Sequence, residues 1–80
     1  MNETLHIGKL IQQKMDEDGR KVTWLAKKIP CHRNNIYQIY QQEHIHPALL
    51  SRISTILKFN FFSYYYDDIN ERILKENNKG

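Results

Sequence analysis

Cysteine is almost missing from this chain: Cys31 stands alone among 80 residues, which excludes an internal disulfide and fits a reducing compartment. Glycine (three) and proline (two) are scarce, while hydrophobic residues make up 40%. That balance suits a compact globular chain rather than a disordered one. No apolar run approaches the ~20 residues that a membrane span needs. Met1-Asn2-Glu3-Thr4 lacks the charge pattern of a signal peptide, so the expected location is the cytoplasm. No repeat, low-complexity tract or linker divides the sequence, and no segment alternates with period two, so strands are not expected. Eighty residues then make one small domain, with core enough for four or five short helices.

Catalytic patterns are missing too. Nothing resembles a phosphate loop or a paired-carboxylate site. Cys31 and His32 are neighbours, and adjacent side chains rarely aim at each other as a nucleophile–base pair must. Cys31-His32 with His44-Ile45-His46 offers metal-ligand residue types but no Cys-x-x-Cys or His-x-x-x-His spacing. An enzyme, a bound metal and a cofactor are therefore not expected, and Cys31 reads as an apolar plug.

What the chain does have is charge sorted by position. Met1 to Asp18 carries −2, with Lys9 and Lys14 against Glu3, Asp16, Glu17 and Asp18. Gly19 to Tyr66 carries +6, with Arg20, Lys21, Lys27, Lys28, Arg33, Arg52 and Lys58 against Glu43 alone. Asp67 to Gly80 returns to −1. A basic middle between mildly acidic ends attracts a polyanion such as DNA.

The apolar spacing is helical throughout. Ile7, Leu10, Ile11 and Met15 form one stripe of a helix that starts after Thr4 as N-cap and is closed by Gly19. Val22, Leu25, Ala26 and Ile29 repeat the pattern, and Pro30 ends that second helix. A third helix is expected from about Arg33 to Gln41, with Ile36, Ile39 and Tyr40 inside and His32 as a weak N-cap. Pro47 suits the first position of a fourth, Ile45 and Leu50 can staple its start, and Leu49, Leu50, Ile53, Ile56 and Leu57 make its buried face. Asn60 caps a last short helix through Phe61, Phe62 and Tyr65.

Val22 to Tyr40 has the spacing of a helix-turn-helix, two short helices joined by about three residues. Ala26 is small enough for the helices to cross closely, and Ile36 and Ile39 anchor the second from beneath. That leaves Arg33, Asn34, Tyr37 and Gln38 to read base edges. Arg pairs with guanine and Asn or Gln with adenine, each worth ~1–3 kcal/mol of discrimination. Lys27, Lys28, His32, Asn35, Gln41 and Gln42 are expected at the phosphate backbone.

Leu25-Ala26, the aliphatic Ile29, the pair Ile36 and Ile39, and the run from Pro47 to Leu57 followed by Asn60-Phe61-Phe62-Ser63-Tyr64-Tyr65 resemble the phage-repressor-like (Cro/C1, XRE-type) helix-turn-helix family. Gly19, Val22-Thr23-Trp24 and Phe61-Phe62-Ser63-Tyr64-Tyr65 are similar to a subgroup of small Bacteroidetes regulators. The resemblance covers roughly Leu5 to Tyr66. It implies an all-α, five-helix lambda-repressor-like domain over residues 1–66 that binds double-stranded DNA as a transcriptional regulator of the repressor type. Two positions depart from the family. Pro30 stands where the turn glycine belongs, so the turn is expected to open without a left-handed residue. Lys21 stands where a Ser or Thr caps the second helix.

Six aromatics crowd eight positions, Phe59, Phe61, Phe62, Tyr64, Tyr65 and Tyr66, more than one small core absorbs. Phe59, Phe62 and Tyr65 are assigned to the core. Phe61, Tyr64 and Tyr66, with Ile69 and Ile73 from the tail, are assigned to a homodimer interface. Trp24 is open to either use. The tail, 67–80, is expected to form a short helix and then lose order over its last six residues. The competing reading is a protein-interaction module or an antitoxin, whose aromatic surface binds a toxin or co-regulator.

Overall fold

A computed structural model describes residues 5–79 of the chain. Five helices follow one another, α1 (Ile7–Glu17), α2 (Val22–Lys28), α3 (Arg33–Gln41), α4 (Pro47–Leu57) and α5 (Phe62–Lys79), with no strand among the described residues. The fold is all-α, and no described helix is long and apolar enough to cross a membrane.

Histidine starts three of these helices. Nδ1 of His6, His32 and His46 accepts the backbone N–H of Lys9, Asn34 and Ala48, each at 3.1 Å. Each bond satisfies one of the donors that a helix leaves without an internal partner. Thr4, the expected cap of α1, lies outside the described residues, and His6 takes that role. Lys21 begins α2 with no side-chain cap, as its residue type implies. Asn60 caps α5 through Oδ1, 3.0 Å from the Phe62 N–H.

One two-bond closure recurs at the other ends. α1 closes through Gly19 at φ 68, with Gly19 N–H on Asp16 O at 3.1 Å and Arg20 N–H on Met15 O at 2.9 Å. α4 closes the same way with Lys58 in the glycine position, at φ 55. Its bonds run from Lys58 to Thr55 at 3.3 Å and from Phe59 to Ser54 at 3.0 Å. α2 repeats the outer bond, Cys31 N–H to Ala26 O at 2.9 Å, around Pro30 at φ 22. The expectation that Pro30 would keep the turn out of positive φ is therefore corrected. The turn keeps a glycine-like path with a residue that has no N–H for the inner bond and whose ring favours φ near −65°.

α3 packs on both α1 and α2. Ile7, Ile11 and Met15 of α1, Leu25 and Ala26 of α2, Ile36, Ile39 and Tyr40 of α3, and Leu50, Ile53 and Leu57 of α4 form one buried cluster. Ile45 is buried with Leu50 there, as a staple around His46 requires. Leu49 and Ile56, also assigned to that face, are half-buried. α1 docks end-on against the loop after α3. Ile7 N–H donates to Glu43 O at 2.8 Å and Gly8 N–H to Gln42 O at 2.9 Å. Gly8 is buried against backbone: a Cβ there would lie 2.5 Å from Tyr40 O and 2.6 Å from Gln42 O.

The aromatic block is sorted differently from the expectation. Phe61 is fully buried, against Phe59 at a ring separation of 4.9 Å, so it has no surface to offer a second subunit. Phe61 stands in the turn between the Asn60 cap and the first residue of α5, and its side chain enters the core from there. Phe59, Phe62, Tyr64 and Tyr65 are half-buried and Tyr66 is exposed. α5 then continues unbroken across the expected 66/67 boundary to Lys79, longer than the short helix expected of the tail. Ile69 and Ile73 stand 50% exposed on it, and Leu74 60%. This arm makes the molecule 49 Å long against 22 and 21 Å in the other directions.

Candidate nucleic-acid interface

The site is built on α3, and its geometry follows from helical period. At 100° per residue, Ile36, Ile39 and Tyr40 share one side of the helix and Asn34, Tyr37, Gln38 and Gln41 the other, while Arg33 falls at the margin of the inner side, in the first turn below Ile36 and Tyr40. The first three are buried and the other five exposed. Asn35 falls at the edge between them and is exposed as well. Every residue expected to read bases is thus exposed on one helix, Arg33 from its first turn and the others from its outer side. His32 fixes the start of that surface, since its ring already accepts the Asn34 N–H. With Nδ1 occupied in this way, the ring proton sits on Nε2, the nitrogen left to donate outward.

Tyr37 is 51% exposed and meets Tyr40 edge-on, with centroids 6.5 Å apart. The Tyr40 hydroxyl is pushed up to about 12, first by burial, then by the negative charge of Asp16 and by Tyr37. It is a neutral core phenol rather than a reactive one. Tyr65 is likewise raised by burial. Its hydroxyl lies 2.7 Å from Nδ1 of His44, tying the α3–α4 loop to α5.

The expected backbone contacts are divided. Gln41, on the outward face of α3, lines a shallow groove of about 370 Å³ with Tyr37 and with His6, Lys9 and Gln12 of α1. Lys9 and Gln12 were not foreseen as site residues. Their sequence signal was only that they lie off the α1 stripe, and their place beside Gln41 arises from how α1 docks. Lys27 shares a surface hollow with Arg20, Lys21 and Thr23. Lys28 does not join it. Its ammonium sits 5.7 Å from the centroid of the Trp24 ring, which the Arg20 guanidinium also covers at 4.4 Å. Trp24 is thereby half-buried under two cations. Gln42, the C-cap of α3, is exposed, while its carbonyl holds Gly8.

Arg33 is the one charged residue of α3, and among the described residues it makes no ion pair. Cys31 is half-buried against the core, in the plug position. No three His, Cys, Asp or Glu side chains converge as metal ligands among the described residues. No protein-family model, curated protein or solved structure matches this chain. What the arrangement can do chemically is offer hydrogen-bond donors and acceptors from one rigid helix, beside a concentration of positive charge.

Proposed function

We propose that this protein binds double-stranded DNA with α2 and α3 as a lambda-repressor-like helix-turn-helix, placing α3 in the major groove, and that it acts as a transcriptional regulator. The observation that carries the reading is the exposed face of Asn34, Tyr37, Gln38 and Gln41, with Arg33 exposed in the first turn at its margin, over a buried Ile36, Ile39 and Tyr40. A helix of this width fits the major groove, where Arg, Asn and Gln distinguish base pairs that the minor groove leaves degenerate. Lys27, with Lys21 and Arg20 beside it, supplies the phosphate attraction that sets affinity without setting sequence. Two copies reading half-sites about 34 Å apart complete the arrangement.

The test is selection of bound duplexes from a random pool at moderate salt, with wild type beside Arg33→Ala. Wild type enriches a two-fold-symmetric motif, and Arg33→Ala loses ~1–3 kcal/mol and its preference at one position of each half-site. Lys27→Ala instead weakens binding to every sequence and lowers the salt slope by about one. A folded wild type that enriches nothing and binds DNA without salt dependence sinks the proposal.

A second reading, a protein-interaction module, is favoured by one observation, the exposed Tyr66, Ile69, Ile73 and Leu74 on α5. Phe61 and Trp24 no longer serve it, the first being buried and the second covered by Arg20. Loss of in-cell activity in Ile69→Asp/Ile73→Asp, with DNA selection unchanged, would assign the working surface to that stripe.

A further inference from the structure

Between the α1–α2 corner and the C-terminal end of α4 lies a cleft of about 530 Å³, within the size range of small-molecule sites. Ile56 and Leu57 supply apolar wall, Trp24 an aromatic one, and Arg20, Lys28 and Lys58 three cations. One acid, Asp18, also lines it. That carboxylate already has Lys14 Nζ at 3.5 Å. The ion pairs of the described residues are Lys14–Asp18 and Arg72–Asp68, so none of the three cations has a carboxylate of its own. Like charges gathered without compensation repel one another, and an anion between them removes that repulsion.

Lys58 adds an independent observation. It holds the left-handed position that closes α4, at φ 55 and ψ 41, where glycine is free of strain and a lysine is not. At the matching end of α1 the chain uses Gly19. The dipole of α4 favours a cation near Lys58, while Arg20 and Lys28 are held over the Trp24 ring and pair with no carboxylate among the described residues. Strain accepted at a residue that lines a cationic cleft is a mark of a site.

We propose that this cleft binds a small phosphate monoester, with the dianion among Arg20, Lys28 and Lys58 and its apolar remainder against Ile56 and Leu57, while Trp24 backs the cations that hold the phosphate. The proposal shares Arg20 with the DNA-backbone contact proposed above and is otherwise independent of α3.

Trp24 is the sole tryptophan, so its emission reports the cleft directly. The full chain is titrated with phenyl phosphate and with inorganic phosphate, against chloride at equal ionic strength. Phenyl phosphate gives a saturable change in emission, with inorganic phosphate at least tenfold weaker and chloride flat. Lys58→Gly raises the urea midpoint by relieving the left-handed lysine, yet weakens phenyl phosphate at least tenfold. Lys58→Asn, also tolerant of that backbone, does the same and guards against an unforeseen folding defect in the first. Lys75→Ala, on α5, leaves the titration unchanged. Equal responses to phosphate and chloride, or wild-type binding in both Lys58 variants, overturn the proposal. So does a Lys58-dependent emission change on adding a short DNA duplex with none on adding either phosphate, which would make the cleft a contact for the DNA backbone.

Discussion

Replacing Gly8 with alanine sets two physical effects against each other, and the structure decides between them. Intrinsic propensity favours the change, because alanine is better than glycine within a helix by up to ~1 kcal/mol. Packing opposes it. The added Cβ would stand 2.5 Å from Tyr40 O and 2.6 Å from Gln42 O, whereas an ordinary carbon–oxygen contact is about 3.3 Å. Both atoms are backbone, so the strain cannot be relieved by turning a side chain. α1 must retreat by roughly 0.7–0.8 Å to restore that contact. The bonds from Ile7 to Glu43 O and from Gly8 to Gln42 O, now 2.8 and 2.9 Å, would then stretch to about 3.6 Å, beyond useful range. Two buried donors left without partners cost ~1–3 kcal/mol each. The net loss expected is ~2–4 kcal/mol, a large share of the ~4–12 kcal/mol that a domain of this length has in all. In a thermal melt followed by far-ultraviolet circular dichroism, Gly8→Ala should unfold ~10–30 °C below wild type. A melting temperature equal to or above wild type would refute the end-on docking of α1.

Three further outcomes follow from the turns, the caps and the core phenol. Pro30→Gly should raise the urea midpoint. Glycine accepts φ 22 without strain and regains the inner N–H bond toward Lys27 O, gains of ~1–3 kcal/mol that exceed the ~0.4–1 kcal/mol of added freedom in the unfolded chain; a lowered midpoint would show the ring unstrained. His32→Ala should cost ~0.5–2 kcal/mol in the same assay, with His32→Asn recovering most of it, because the Asn34 N–H loses its acceptor in the first variant only. Tyr40, raised to about 12 from the usual 10, keeps its proton in the folded state where the unfolded chain loses it. Its contribution is complete below pH 10 and is lost between pH 10 and 12, on the order of 2 kcal/mol. Urea midpoints measured across that window should fall less steeply for Tyr40→Phe, and equal slopes would place the Tyr40 ring in solvent.

Sequence patterning located what depends on neighbours in the chain. The bounds expected for the third helix, Arg33 to Gln41, are those of α3, because Pro30 stops the helix before it and the Ile36–Ile39–Tyr40 stripe leaves only one face to bury. Pro47 marked the start of α4 for the same local reason. The inner face of α3 and its outward Asn34, Tyr37, Gln38 and Gln41 followed from period, whereas Arg33 is exposed because it stands in the first turn. What was not legible depends on packing between distant segments. Nothing adjacent to Gly8 announces that carbonyls from residues 39–42 converge on it. Lys9 and Gln12 joined the candidate site only through that same docking. The aromatic block offered six rings in eight positions, and local spacing could not tell that Phe61, before the helix, is the one driven inward. The full length of α5 was missed because its outer half has no packing partner to write a clear stripe into the sequence. Histidine is a weak cap by type, yet it starts α1, α3 and α4.

The projecting arm of α5 has a practical consequence for anyone weighing this molecule in solution. A compact chain of 80 residues has a radius of gyration near 12 Å, but this one has 14.5 Å. Gel filtration sorts by hydrodynamic size, so a single copy elutes ahead of a globular standard of its own mass and imitates something heavier. Light scattering or sedimentation equilibrium, which read mass without reference to shape, separate one elongated copy from two.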